Sequence, residues 1–137
     1  MLNRGITVST DLAPDLPPVS GDRVQLQQVL LNLLINGSDA MRDVSGAKVL
    51  VVRTRMAPGP AVEVTISDIG HGIPDEALER IFNPFITTKA EGIGLGLAIC
   101  RTIVQSHRGK LWATNNEGAG STLHFTLPVT TDALSER

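Results

Sequence analysis

The chain has 137 residues, a length that suits one domain with a core of its own. With 42% apolar and 19% charged residues it has ordinary globular composition, which excludes a chain disordered throughout. A net charge of −2 with no basic cluster longer than two residues argues against a nucleic-acid surface, and a single cysteine excludes an internal disulfide.

In chain order, "GITVSTDL" (5–12) alternates as a strand. "APDLPPVSGD" holds three prolines and is a loop. Asp22 is placed to cap a helix running from about Arg23 to Met41. "KVLVVRTRM" and "AVEVTISDI" read as strands joined by a turn at "APGP". "PDEALERIF", opening with proline and acids, reads as a short helix. A second long helix fits Gly94 to His107 and ends at Arg108-Gly109. "KLWATNN" and "STLHFTLPV" are the last strands, joined by "EGAG", and the polar tail 130–137 is expected to fray. This order predicts an α+β fold: a two-layer sandwich with a mixed, mostly antiparallel sheet of about five strands, covered on one face by about three helices.

No apolar run approaches membrane length, and the N-terminus does not read as a signal peptide. With one cysteine, this predicts a reducing, cytoplasmic setting. Cys100, inside "LGLAICRTIV", reads as a small core residue rather than a reactive thiol. His71, His107 and His124 show no metal-ligand spacing.

The first long helix carries a narrow polar stripe. At 100° per residue, Gln25, Gln28, Asn32, Asn36 and Asp39 fall within roughly 80° of arc, bordered by apolar residues. A solvent-facing stripe is the ordinary explanation. Such faces favour Lys, Glu and Arg, however, and this one has none; asparagine at i and i+4 costs helix propensity with no local return. A ligand or metal would supply the partners that such amides need.

From Asp68 to Cys100 glycines cluster twice. The P-loop string is absent, and Gly92, Gly94 and Gly96 do not follow a buried strand as a dinucleotide fingerprint requires. Gly94 and Gly96 nonetheless open a helix, where free N–H groups and the helix dipole favour phosphate, with Lys89 just upstream. Asp68 ends a strand and precedes Gly70 and Gly72: a carboxylate that can accept from an exocyclic amine, beside glycines that let a flat ring approach. Each signal is weak alone.

Together, "LLNLLINGSDAM", "DIGHGI", "IFNPFITTK" and "GIGLGLAIC" resemble, in order, the N, G1, F and G2 boxes of the sensor histidine kinase catalytic domain, in the GHKL superfamily of ATP-binding domains. "SHRGKLWATNNEGAGSTLHFTLP" is similar to the end of that domain, so the resemblance covers about residues 5–129. The stretch from "TTK" to "GIGLGL" is most similar to the nitrogen-regulation and oxygen-sensing kinases.

The resemblance implies a residue-by-residue site for ATP and Mg²⁺ in a catalytic domain spanning 1–129. Asn36 would be the Mg²⁺ ligand, Asn32 would support metal or phosphates, and Asp39 would lie near the phosphate or ribose. Asp68 would accept the adenine amine, with Gly70 and Gly72 shaping the base pocket, Ile73 packing beside it and the Thr122 hydroxyl reaching adenine. Thr87, Thr88 and Lys89 would start a lid, Lys89 nearest the phosphates. Gly92, Gly94 and Gly96 would let it close, with Leu95 in the same nucleotide-binding segment and, like Leu97, serving mainly in packing. Phe82 and Phe85 fit either core packing or docking on a partner domain.

Gyrase-type and chaperone ATPases carry a glutamate base where Asn32 stands. Asparagine takes no proton at neutral pH, so the resemblance implies poor hydrolysis and transfer of the γ-phosphoryl to a histidine on a separate dimerisation domain. Asn32, Asn36 and Lys89 would be the catalytic set. No "H-E" or "H-D" phosphoacceptor box is present, so the chain is expected to be an excised, monomeric catalytic domain that binds ATP without completing the reaction. A response regulator would act downstream; neither nucleic acid nor membrane contact is expected. The alternative is a non-catalytic nucleotide-binding switch that acts on a partner through lid closure.

Overall fold

The computed structural model describes residues 5–83 and 94–130. Phe85, Thr87, Thr88, Lys89 and Gly92 lie outside them, as does the tail from 131, and Leu95 is described only through its backbone in a helix.

Five strands form one sheet in the order β1-β2-β3-β5-β4. They are β1 (Ile6–Leu12), β2 (Lys48–Ala57), β3 (Ala61–Ser67), β4 (Lys110–Asn115) and β5 (Ser121–Pro128). Among the described residues only β1 and β2 pair in parallel; the other pairs are antiparallel. A parallel pair needs a long crossover, and the helix α1 (Arg23–Ala40) supplies it. The Asp22 side chain caps α1 by accepting the Gln25 N–H at 3.1 Å.

The sheet register decides which face is covered. Ile66 lies opposite Leu123, Val64 opposite Phe125 and Val62 opposite Leu127, one apolar row set on one face. Ile66, Leu123, Phe125 and Leu127, with Val64 packed against them, join Leu50, Val29 and Leu33 of α1 and Cys100, Ile103 and Val104 of the second helix, α2 (Gly94–Ser106), in one core. Val29, Leu33, Leu50 and Val104 are wholly buried. Each such side chain contributes about 1.5–3 kcal/mol by leaving water. The Cys100 thiol is also fully buried, and desolvation pushes its pKa up to about 11 against a smaller lowering by a hydrogen bond from Asn32. It is the inert core residue its context predicted.

Two α-helices, not about three, cover the sheet among the described residues. "PDEALERIF" forms two 3₁₀ turns, Asp75–Ala77 and Arg80–Phe82. A helix this short does not repay its nucleation, and burial of Ala77 and Phe82 fixes the chain instead. Phe82 is thereby a core residue. The second helix does end at Arg108-Gly109. The left-handed residue is Arg108 (φ 65°), and Gly109 serves another need. A methyl at Gly109 would lie 1.9 Å from the Thr126 carbonyl of β5, so its role is close approach.

Candidate functional site

The polar stripe of α1 descends into the protein. Gln25 and Gln28 are exposed, Asn32 and Asn36 half-buried and Asp39 buried, so the solvent-facing explanation holds only for the first end. Asn32 straps the two helices together: Nδ2 donates to the Gly96 carbonyl at 3.3 Å and Oδ1 accepts from Gln28 Nε2 at 3.1 Å. Asp39 pairs with Arg42 at 3.5 Å while its own side chain is only 3% exposed.

The buried end of α1 rests on the loop after β3. Two glycines permit this. A methyl on Gly37 would meet a Leu50 methyl at 2.5 Å, and one on Gly70 would lie 2.1 Å from the Ala40 carbonyl oxygen. Gly70 therefore admits the helix backbone. Gly72 has φ +78°, a conformation that favours glycine.

Asp68 stands where this loop begins and is 3% exposed. Its Oδ1 accepts the N–H groups of Gly70 (2.8 Å) and Ser121 (3.2 Å), and its Oδ2 accepts the Ser121 hydroxyl at 3.3 Å. An ionised carboxylate has about four acceptor positions. Among the described residues three are taken, all by neutral groups, and Oδ2 keeps capacity for another donor. On the far side a methyl at Gly120 would lie 2.1 Å from the Asp68 carbonyl oxygen, so β5 also approaches through a glycine.

The hydroxyl on Asp68 is that of Ser121, which sequence reasoning missed. Thr122 donates to Asn116 Oδ1 at 2.6 Å and meets the Ser67 hydroxyl. Strand alternation explains the difference: Leu123, Phe125 and Leu127 face the core, so Ser121 shares their side and Thr122 points away. That alternation was visible in "STLHFTL" and is the signal that finds Ser121.

Asn116 Nδ2 donates to the Asp68 carbonyl at 2.9 Å and to the Ala119 carbonyl at 3.1 Å, while Asn115 meets Ile73. Loop and β4–β5 turn enclose an open depression of about 580 Å³ lined by Gly70–Pro74 and by residues between Asn115 and Gly120. The structure thus sets Asp68, Gly70, Gly72 and Ile73 beyond the end of β3 against the last turn of α1, where Asp39 lies; Asn36 and Asn32 stand further back on α1, Asn32 tied to Gly96 in the first turn of α2. It turns Thr122 aside. None of the histidines lies free: His71 Nδ1 meets the Gly72 carbonyl, His107 joins the Asp22 N–H to the Ile103 carbonyl, and His124 pairs with Glu63 on the other face.

Comparison with known proteins matches this arrangement. The family described as histidine kinase-, DNA gyrase B-, and HSP90-like ATPase matches residues 21–131. Sensor protein FixL of Bradyrhizobium diazoefficiens is 40% identical over 126 residues, which is 92% of this chain and 25% of that protein. Adaptive-response sensory kinase SasA of Prochlorococcus marinus is 39% identical over 134 residues, 93% of this chain and 34% of that one. The chain therefore spans about a third or less of these relatives, and their spread singles out no subtype. Among solved structures, the nucleotide-free catalytic domain of histidine kinase ThkA superposes with a TM-score of 0.78 at 35% identity, covering 95% of this chain and 83% of that one. Full-length ShkA in complex with AMPPNP gives 0.81 at 28% identity over 95% of this chain and 27% of that one. This chain belongs to the histidine kinase-, DNA gyrase B- and HSP90-like ATPase family, as an ATP-binding domain of the sensor histidine kinase kind.

Proposed function

We propose that residues 1–129 form a domain that binds ATP with Mg²⁺ and presents the γ-phosphate for transfer to a histidine on a separate dimerisation domain, with a response regulator downstream. The observation that carries this reading is Asp68: a buried carboxylate held by two N–H groups and one hydroxyl, with acceptor capacity left for an exocyclic amine. The residues fit the nucleotide's other end as well. Asn36 offers an amide oxygen, and Asn32 stands one turn earlier on the same half-buried stripe. Among the described residues no cluster of three or more His, Cys, Asp or Glu is present, which suits a cation that takes oxygen ligands from an amide, phosphates and water. When bound, Mg²⁺ neutralises charge on the β- and γ-phosphates.

The chain's own residues then bind and orient. Asp68 and Ser121 read the base, α1 presents Asn36 and Asn32 to the phosphate side, and the N–H groups of Gly94 and Gly96 at the start of α2 favour phosphate oxygens. Thr87, Thr88, Lys89, Gly92 and Leu95 complete the proposed lid, with Lys89 contributing a point charge. Asn32 cannot act as a base, so the proton on the accepting histidine leaves to a group outside this domain. The relatives are sensor kinases, which favours transfer over a nucleotide switch without transfer.

The test is thermal unfolding with ADP and Mg²⁺, on the wild type and on Asp68→Asn. Ligand at a hundred times its Kd adds roughly 2.7 kcal/mol, a rise of several degrees. The rise is expected in the wild type and should shrink to roughly 0.4 kcal/mol, about a degree, in the variant. A wild type without any rise at millimolar nucleotide overturns the reading.

A further inference from the structure

We infer that Asn115 is a positioning residue for base recognition: its carboxamide clamps both backbone groups of Ile73 and so holds the loop on which Asp68 and Gly70 stand. The inference rests on the nucleotide reading above and names a residue which that reading leaves out.

Asn115 is the last residue of β4 and is itself exposed. Its Oδ1 accepts the Ile73 N–H at 2.8 Å, and its Nδ2 donates to the Ile73 carbonyl at 2.6 Å. This is the donor-and-acceptor pairing that one strand residue offers another, made here by a side chain to a residue 42 positions away. The loop needs such a pairing because it leaves the sheet at Asp68, whose N–H makes a last bond to the Ser121 carbonyl at 2.9 Å. Beyond that point three fixed contacts shape it. The Asp68 carboxylate holds Gly70 N–H, the Ala40 carbonyl abuts Gly70, and Asn115 holds Ile73.

Gly72 sits between the last two contacts. A methyl there would lie 3.2 Å from Asn115 Oδ1, in a backbone conformation with φ +78°. The clamp and the glycine therefore require each other: the left-handed turn at Gly72 delivers Ile73 to the amide, and the missing side chain leaves the amide room. Asn116, the next residue, points to the loop's beginning and donates to the Asp68 carbonyl. Consecutive asparagines thus bracket the loop, Asn116 at its start and Asn115 at its far end. Only a carboxamide of this length offers both a donor and an acceptor; aspartate would set a second oxygen against the Ile73 carbonyl.

The test compares Mg²⁺-ADP with the Mg²⁺ complex of purine riboside diphosphate, which lacks the ring's amine, by calorimetry on the wild type and Asn115→Ala. The ratio of the two Kd values reads the amine contact alone; a loss of general foldedness would weaken both ligands together. In the wild type the ratio is expected to be about thirtyfold, the worth of a hydrogen bond to a charged acceptor. In Asn115→Ala it is expected to fall to about threefold, with the unfolding midpoint without nucleotide changed by under roughly 2 °C because the site is exposed. Exchange of the Ile73 amide hydrogen should quicken in the same variant. A ratio unchanged within twofold overturns the inference, whatever happens to ADP affinity itself. A wild type that binds ADP with no preference over the analogue overturns the adenine reading instead.

Discussion

Asp68 and Glu63 are both acids associated with β3, both 3% exposed, and they do opposite things. Glu63 lies on the open face of the sheet. Its Oε1 accepts from Arg55 Nε and Nη2 at 3.0 and 2.9 Å, and its Oε2 meets His124 Nδ1 at 2.9 Å. Trp112 stacks on the His124 ring at 4.9 Å between centroids. Burial pushes the Glu63 carboxyl up, but hydrogen bonds from His124 and Arg55, with their charges, outweigh it and leave the group below its usual value. Asp68 lies beyond the strand's end against α1 and, among the described residues, is held by neutral donors only. Burial alone therefore does not mark a binding site. A cation and a histidine make Glu63 a structural tie across three strands, whereas neutral partners leave Asp68 with an acceptor still available to a ligand.

This contrast can be broken most sharply by exchange of function. Asp68→Asn should weaken Mg²⁺-ADP by roughly 100-fold, since it sets an amide donor against the ligand's amine. Glu63→Gln should leave that affinity unchanged within about twofold. Calorimetric titration of both variants checks the pair; equal losses would erase the distinction.

The reverse should hold for stability. Glu63→Ala should cost about 2 kcal/mol in urea unfolding, less than a fully buried pair because Arg55 can return to water. The pH dependence follows from sign. The folded carboxyl is lowered, so its stabilisation is present above the ordinary value of 4.5 and is lost as pH falls from there through the folded value. Urea midpoints of the wild type should decline across that acid window more steeply than those of Glu63→Gln.

The smallest effect separates neighbours. Ser121→Ala removes a neutral hydroxyl from Asp68 and should weaken ADP about fivefold. Thr122→Val, on the other face, should change it by less than about twofold. A larger loss for Thr122→Val would return the base-reading role to Thr122.

Much of this architecture was legible. The proline loop, the Asp22 cap and the extent of α1 follow from local chemistry, and β-branched runs mark β2 and β3 within a residue or two. The polar stripe singled out Asn32 and Asn36 because paired amides on a stripe without Lys, Glu or Arg do not suit a solvent-facing side. The short helix failed because its apolar residues are anchored singly by the core. Ser121 was not singled out, because two adjacent hydroxyls look alike until the strand's inward parity is applied. Gly70 was read as room for a ligand's ring, and it also admits the Ala40 carbonyl; Gly37, Gly109 and Gly120, given no such reading, likewise make room for the protein's own atoms.

The sequence by itself determined element order, the caps, the buried stripe and the ordered set of boxes, because each rests on neighbours within a few positions. Only the tertiary structure decided that Ser121 reaches Asp68, that Asn115 grips Ile73 and that α1 settles on Gly70. Those contacts join residues 30 to 53 positions apart. Such distances are closed by sheet register and helix packing, which depend on the whole core at once and leave no signature in any short stretch of chain.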